Sequence, residues 1–371
     1  MKKIAIIFDF LMVLGGGEKV FKEVCDLFPN AQVYTLLYDR GRTKSFFKDL
    51  EPRIHTSSLQ KSKFIKSNYR KLILLWPKIV RKWDLSEFDL IISFNHVFSK
   101  GIKKRKDAKH ICYFFTPTRF LWVDRESYLK EIPFGMKGVV SAYLREMEKW
   151  DTNCVSQVDK LISVSKTCQM RIKKYYKRNS KVIYPGIDTP LFKISKKRGD
   201  YFLLPSRLRP HKKVDLAIYA FNELRLPLKI VGTGSQKSYL QKIAGKKIEF
   251  LDWVPNKRLR ELYSSCRALI YPQEEDFGLT AIECMASGRP VIAYKKGGAT
   301  ETIEEGVSGL FFDKQCPKSL VEAIKRFDTM EFNSEVIRRS VRKFDVENFR
   351  RKFKEFVKTE GDTMSCCLQP H

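Results

Sequence analysis

Residues 268–286, which read ALIYPQEEDFGLTAIECMA, contain the transition that decides the fold. The mainly apolar residues from Ala268 to Tyr271 predict a buried strand, and a short acidic loop follows it. A helix is expected from about Leu279, with Gly278 immediately before it. A strand, a short loop and a helix in this order form the repeating unit of a parallel α/β sheet.

The same alternation extends in both directions along the chain. Continuous apolar runs separated by amphipathic segments predict parallel strands that helices cover on both faces. The predicted strands are 4–8, 32–37, 89–94, 110–115, 160–164, 181–184, 201–204, 228–231, 248–251, 268–271, 290–294 and 309–312. The predicted helices include 18–27, 213–223, 257–264 and 318–327. This pattern predicts an α/β protein with two doubly wound, Rossmann-like domains.

The length of the chain, 371 residues, suits two such domains. We expect an N-terminal domain over 1–185, on the acceptor side, and a C-terminal domain over 186–343 that binds the ligand. A charged amphipathic helix is expected over 344–358, crossing back to the first domain. Residues 359–371 are predicted to be a disordered tail.

The charge of the chain is strongly positive, with 71 Lys and Arg against 42 Asp and Glu, a net charge of +29. Such a chain is expected to bind polyanions, which include nucleic acids, anionic membranes and phosphorylated substrates. Charge alone does not choose among them, and a Lys-rich composition would give the same value. No nucleic-acid-binding motif is present, so a polyanion-binding or nucleic-acid-binding protein is kept only as an alternative.

The cysteines and the N-terminus indicate the compartment. None of the nine cysteines forms a Cys-x-x-Cys pair, which gives no support for a zinc site or a redox motif. Scattered thiols favour the reducing cytoplasm. The apolar run Ile4–Phe8 is too short for a signal peptide, and no stretch has the length of a transmembrane helix. We therefore expect a soluble or peripheral protein.

The segment Lys61–Trp83 is unusual because it contains eight basic residues and no acidic residue. Apolar residues alternate with the basic ones at helical spacing. This pattern predicts a helix that lies on an anionic membrane surface. The alternative is a helix that packs on its own domain and has a solvated basic face.

The acidic loop after residues 268–271 has features of a ligand-binding turn. Helix amides near 277–280 would point at an anion, and Gly278 would let a phosphate come close. Glu275 and Glu283 could accept hydrogen bonds from sugar hydroxyls. The alternative is an acidic turn that stabilises its own helix.

Three further turns between a strand and a helix carry similar residues. Arg207 and Lys212 could converge on a diphosphate, although surface charge explains them equally well. The pair Gly297-Gly298 and the run Gly15–Gly17 would expose backbone amides to phosphates. By contrast, Gly232-x-Gly234 has Lys237 where a dinucleotide fingerprint needs its third glycine, so we reject a nicotinamide-binding site.

In combination, these residues resemble the retaining GT-B glycosyltransferases of family 4, and within them the O-antigen mannosyltransferase-like group. The matching elements are Glu275…Glu283, Arg207…Lys212, Gly297…Glu301, Val182–Asp188 and Gly15–Glu18. The resemblance covers the chain to about Val357. It implies two Rossmann-like domains that face a central cleft.

The resemblance also implies a role for each residue of the motifs. Glu275 would hold hydroxyls of the donor sugar, and Glu283 would bind the ribose. Arg207 and Lys212 would stabilise the departing diphosphate in place of a metal, so no metal and no cofactor are expected. The remaining donor-binding residues implied are Gly15, Gly16, Gly17, Asp276, Phe277, Gly278, Leu279, Gly297 and Gly298.

The implied reaction moves a hexosyl group from a nucleotide sugar to a lipid-linked or polysaccharide acceptor. GDP-mannose is the favoured donor, and the inner face of the cell membrane is the expected location. One residue departs from the family pattern, because Phe115 stands where a histidine is expected in Tyr113–Arg119. His96 and His110 are the candidates for contacting the acceptor or acting as a base. A relative that binds nucleotide sugars without catalysis is the alternative.

Overall fold

The computed structural model of the chain describes residues 2–130, 132 and 134–361. It divides into two compact units. The first contains the residues up to Tyr184 together with those from Phe349 on, and the second is Pro185–Asn348.

The first unit is built on a seven-stranded parallel sheet in the order β3-β2-β1-β4-β5-β6-β7. Its strands are β1 (Ile4–Leu11), β2 (Gln32–Tyr38), β3 (Ile54–Thr56), β4 (Leu90–Asn95), β5 (Lys109–Phe114), β6 (Lys160–Ser163) and β7 (Lys181–Val182). Its helices are α1 (Gly16–Leu27), α2 (Arg40–Phe47), α3 (Lys63–Asn68), α4 (Trp76–Val80), α5 (Arg119–Trp122), α6 (Arg125–Lys130), α7 (Lys137–Ser156) and α8 (Lys166–Tyr176). Central strands such as β4 are buried along their whole length, which explains their continuous apolar sequence.

The edge strand β3 is the one strand of this sheet that the sequence pattern did not predict. It has three residues, one of which is the exposed His55. A strand this short, at an exposed edge, has neither an apolar run nor an alternation to reveal it.

The basic segment Lys61–Trp83 does not form one helix, so that prediction is wrong. It contains the short helices α3 and α4, joined by turns. Trp76 and Val80 are completely buried in the core of the first unit, where each contributes the roughly 1.5–3 kcal/mol of a buried large side chain. Much of the apolar face therefore packs on its own unit.

The second unit is built on a six-stranded parallel sheet in the order β10-β9-β8-β11-β12-β13. Its strands are β8 (Phe202–Pro205), β9 (Leu228–Val231), β10 (Ile248–Phe250), β11 (Leu269–Tyr271), β12 (Val291–Tyr294) and β13 (Gly309–Phe312). Its helices are α9 (Val214–Leu224), α10 (Lys237–Ile243), α11 (Asn256–Ser265), α12 (Leu279–Ala286), α13 (Ala299–Thr302), α14 (Pro317–Asp328) and α15 (Ser334–Ser340). Helices α9 and α14 contribute their apolar faces to one core with the sheet. The two doubly wound sheets of the α/β prediction are thus confirmed.

The last helix, α16 (Val346–Gly361), is attached to the first unit from Phe349 on. Phe353 packs against Phe94 with ring centroids 6.4 Å apart. The Arg350 guanidinium binds the Glu23 carboxylate at 2.5 Å. The predicted tail was placed three residues too early, since the helix continues to Gly361; residues 362–371 lie outside the described part of the chain. Among the described residues, no helix is both long and apolar enough to span a membrane.

Candidate functional site

The acidic loop after β11 and the glycine turn after β12 lie against each other. A methyl group built on Gly297 would lie 2.2 Å from the carbonyl oxygen of Glu275, and one on Gly298 would lie 2.4 Å from the Cα of Phe277. Gly297 also has a φ of +66°, in the left-handed region. Both positions require glycine because two backbones touch there. The structure thus brings together two of the turns that the sequence singled out.

This contact changes the role expected of Gly298. Its amide donates a hydrogen bond to the Glu275 carbonyl oxygen at 2.7 Å. An amide engaged in this way is not directed at a phosphate, so the prediction of a phosphate-facing amide does not fit this residue. The bond instead fixes the backbone from which the Glu275 side chain projects.

The Lys212 ammonium and the Glu275 carboxylate form an ion pair. Lys212 lies at the end of the loop after β8, and Glu275 lies after the neighbouring strand β11. Both side chains are partly exposed, at 18% and 27%. A ligand at the carboxyl edge of the sheet can therefore contact a cation and a carboxylate together. Arg207 is on the same loop as Lys212 and is exposed.

The glycine before α12 adopts the conformation that its position demands. Gly278 has φ +98° and precedes the first residue of α12, Leu279. A methyl group there would lie 2.5 Å from the Tyr271 hydroxyl oxygen. Asp276 and Phe277 are buried, and the Phe277 ring packs edge-on against Phe344 at 5.5 Å. The Phe277 side chain is therefore a packing element of the loop.

Glu283 is buried inside helix α12, with 6% of its surface exposed. The Tyr263 hydroxyl, from α11, donates a hydrogen bond to Glu283 Oε2 at 3.0 Å. Burial, reinforced by the charge of Glu283, raises the pKa of Tyr263 well above its ordinary value. Tyr263 therefore stays a hydrogen-bond donor at any physiological pH. Sequence reasoning missed it, because one tyrosine in an amphipathic helix carries no signal.

In the first unit, the glycine run at the N-terminus of α1 meets the residues singled out after β4 and β5. A methyl group on Gly17 would lie 2.9 Å from His96 Nε2 and 3.4 Å from Phe115. The His96 and Phe115 rings stack, with centroids 4.7 Å apart and an interplanar angle of 21°. Gly15 is the N-cap of α1, and Gly16 is exposed. The N-terminus of α1 thus lies beside a half-buried imidazole.

His110 does not fit the role proposed for it. It lies in the buried strand β5 with 1% of its surface exposed, hydrogen-bonded to Ser93 at 2.7 Å. Burial lowers the pKa of His110 to about 3, so the ring stays neutral. A histidine enclosed in the sheet cannot reach an acceptor, which leaves His96 as the candidate.

Buried charges beneath His96 were missed by the sequence analysis. Asp9 accepts hydrogen bonds from the amides of Val97, Phe98 and Ser99 at 2.5–3.1 Å. Lys100 and Asp151 form an ion pair at 2.7 Å in which neither side chain is exposed. These residues hold the loop that carries His96.

Among the described residues, no group of three or more His, Cys, Asp or Glu side chains is arranged to hold a metal ion. The expectation of a reaction without metal stays a prediction.

Two family models match the chain. "Glycosyltransferase Family 4" matches residues 14–190, and "Glycosyl transferases group 1" matches residues 190–344. Together the two matches run from just before α1 to residue 344, near the end of the second unit.

Individual relatives agree with these matches. The chain is 30% identical over 202 residues to the uncharacterized glycosyltransferase MJ1178 of Methanocaldococcus jannaschii, which covers 53% of this chain and 55% of that protein. It is 27% identical over 209 residues to the O-antigen chain mannosyltransferase RfbU of Salmonella typhimurium, covering 53% and 59%. The matched region thus spans about half of each of these curated relatives.

The solved structures share the fold over nearly the whole chain. The crystal structure of HepE from Anabaena with UDP and glucose superposes with a TM-score of 0.72 at 18% identity, covering 97% of this chain and all of that one. At this identity the likeness concerns the fold, which is the GT-B architecture.

Proposed function

The chain belongs to glycosyltransferase family 4, and we propose that it is a retaining enzyme that transfers a hexosyl group from a nucleotide sugar to a lipid-linked or polysaccharide acceptor. The acceptor hydroxyl would attack on the face from which the diphosphate leaves, and the leaving phosphate would take the proton. This route needs no nucleophile from the protein. Placed cations and amides would lower the barrier by stabilising charge on the phosphate.

The observation that supports this proposal most directly is the ion pair between Lys212 and Glu275. It places a cation suited to a diphosphate beside a carboxylate suited to sugar hydroxyls, within the span of one nucleotide sugar. Glu283, on the helix that follows the acidic loop, is the group proposed to bind the ribose. Arg207 is proposed as the second contact to the diphosphate.

For the donor we propose a mannosyl nucleotide, GDP-mannose. The support is the similarity to RfbU, a mannosyltransferase by its name. HepE, in contrast, was crystallised with UDP and glucose. The base and the sugar of the donor therefore have to be determined together.

The test is a thermal-shift panel with GDP, UDP, dTDP, ADP and their sugar conjugates, followed by a transfer assay with the stabilising donor. A ligand at a hundred times its Kd adds about 2.7 kcal/mol to the free energy of unfolding. We expect one nucleotide to stabilise the protein and Glu283→Ala to abolish the effect. Stabilisation by none of them would refute the proposal and favour polyanion binding.

A non-catalytic nucleotide-sugar-binding protein is the second candidate, because Phe115 replaces the histidine expected of the family. The transfer assay separates the two. Binding without transfer to lipid-linked or polysaccharide acceptors would favour the second.

We also propose that the first unit binds an anionic membrane surface through the segment Lys61–Trp83, which would place the enzyme on the inner face of the cell membrane. Phe64 and Leu74 are 67% and 63% exposed, although most other apolar residues of the segment are buried or half-buried. The exposed cations around them are Lys61, Lys63, Arg70, Lys71, Lys78, Arg81 and Lys82. Apolar side chains surrounded by cations favour insertion at a negatively charged interface.

Sedimentation with vesicles tests this surface. The protein should pellet with vesicles that contain phosphatidylglycerol, and salt should release it because the attraction is electrostatic. Phe64→Ser/Leu74→Ser should weaken pelleting. Met170→Ser, which changes an equally exposed methionine on α8, is the matched control. Equal pelleting with neutral vesicles would contradict the proposal.

A further inference from the structure

We infer that the buried ion pair between Lys100 and Asp151 positions the His96 side of the candidate site, and that both residues are positioning residues of the transfer reaction. This inference rests on the proposed function and on His96, after β4, as the candidate for contacting the acceptor. Its basis is the geometry of the two charged side chains, each fully buried beneath the loops after β4 and β5.

The Lys100 ammonium holds both neighbours of His96. It donates to Asn95 Oδ1 at 2.9 Å and to the Val97 carbonyl oxygen at 2.5 Å. The third donor meets Asp151 at 2.7 Å. An ammonium has three donors, and all three are used. One cation therefore holds the side chain before His96 and the backbone after it.

Asp151 holds the second loop, the one that begins with Phe115. Its Oδ1 accepts a hydrogen bond from the Thr118 hydroxyl at 2.9 Å, and its Oδ2 accepts one from the Trp122 indole nitrogen at 2.8 Å. Thr118 and Trp122 lie three and seven residues after Phe115, whose ring stacks on His96. The ion pair therefore connects the two loops whose side chains face each other.

Asp9 completes the support of the first loop through its hydrogen bonds to the amides of residues 97–99. The loops after β4 and β5 are thus hydrogen-bonded to charged side chains that lie in the interior of the unit. Apolar residues of similar volume commonly replace a buried ion pair without loss of stability. Here the pair also bonds residues on either side of His96 and residues that follow Phe115, and these bonds are better explained by the position they give the two loops.

Two variants that each remove one hydroxyl donor to Asp151 separate an effect on the position of the loops from an effect on stability. Thr118→Val removes the bond between Asp151 and the loop after Phe115. Tyr176→Phe removes another hydroxyl from the same carboxylate, donated at 2.6 Å by helix α8, which carries no proposed site residue. Both changes delete one neutral donor to Asp151, so similar losses of thermal stability are expected.

The two variants should differ in catalysis. We expect Thr118→Val to lower kcat at least tenfold, approaching the roughly 10²-fold loss that a misplacement of about 1 Å causes, with little change in the KM for the donor. Tyr176→Phe should stay within about threefold of the wild type. Equal losses in both variants, or a wild-type kcat in Thr118→Val, would overturn the inference.

A readout without turnover keeps the inference separate from the proposed function. NMR of protein labelled at its five histidines reports the imidazole of His96, assigned with His96→Gln. Asp151→Asn and Thr118→Val should shift the His96 resonances, whereas Lys104→Met, which breaks the remote pair with Asp159, should not. Unchanged His96 resonances in a folded Thr118→Val variant would refute positioning. If the wild type transfers no sugar, the proposed function fails while the NMR comparison still decides this question.

Discussion

The contact between the acidic loop and the glycine turn of the second unit can be tested with one methyl group, in the variant Gly298→Ala. Gly298 has φ −62° and ψ −18°, a conformation that alanine adopts freely. The added carbon would lie 2.4 Å from the Cα of Phe277. Carbon atoms in contact settle about 3.5–4.0 Å apart, so the two backbones must separate by about 1 Å.

That separation has a cost in stability and a cost in rate. Overpacking of this kind destabilises a protein by about 1–3 kcal/mol. The Glu275 carboxylate moves with its backbone, and a displacement of about 1 Å lowers kcat by about 10²-fold. Urea unfolding measures the first effect, and transfer of radiolabelled sugar under saturating donor measures the second.

The matched control is Gly138→Ala, a glycine in helix α7 with no atom within 4 Å of the added methyl group. Alanine is the better helix former, so this variant should be at least as stable as the wild type and equally active. If Gly298→Ala unfolds and transfers sugar like the wild type, the loop is not fixed by this contact and the reasoning is wrong.

Three further changes test individual residues. Lys212→Ala should lower the transfer rate by about 10²–10³-fold without unfolding the protein, and an unchanged rate would remove Lys212 from the mechanism. Tyr263→Phe deletes a hydrogen bond to the buried Glu283 carboxylate and should reduce the free energy of unfolding by about 1.5–3 kcal/mol, with weaker nucleotide binding in the thermal-shift assay. The pKa of His110 is lowered to about 3 in the folded state, so between pH 6.5 and 3 mainly the unfolded chain binds this proton. The free energy of unfolding therefore decreases as the pH falls below about 6.5. Between pH 6.5 and 5.0 this contributes about 1.5 kcal/mol, and unfolding of His110→Asn at the two pH values should lack that difference.

The fold was largely predictable from the sequence, because the buried strands of a parallel sheet have continuous apolar sequences. The predictions failed where tertiary packing overrides local pattern. Lys61–Trp83 has helical spacing, yet two short helices form because Trp76 and Val80 turn into the core. The edge strand β3 has too few residues to produce a pattern.

The motif residues of the candidate site were predictable from the sequence, whereas the buried residues that hold its loops were not. The motif residues around Glu275 and Gly298 do lie together, since neighbouring strands deliver them to one edge of the sheet. Lys100 and Asp151 are 51 positions apart in the sequence, and neither has a motif around it. Only the structure singles them out, because it shows two charged side chains that are buried and hydrogen-bonded. Charges are tolerated in the interior when their donors and acceptors are engaged.

The glycines of the second unit share a function that differs from the one their pattern suggests. A methyl group on Gly232 would lie 2.0 Å from the Ser206 carbonyl oxygen, and one on Gly234 would lie 2.2 Å from that of Leu208. The loop after β9 thus packs directly against the backbone of the loop after β8. In the same way, the loop after β12 packs at Gly297 and Gly298 against the loop after β11.

Neighbouring loops are therefore joined in pairs by backbone contact, and the ion pair of Lys212 and Glu275 connects one pair to the other. The Gly-x-Gly of residues 232–234 has this packing role, which accounts for its likeness to a dinucleotide fingerprint without its third glycine. Because such contacts leave no room for a side chain, the glycines fix the edge of the sheet on which the charged groups are displayed. Under the proposed function, specificity for the donor would come from the side chains on this edge, which makes Lys212, Glu275 and Arg207 the positions to vary.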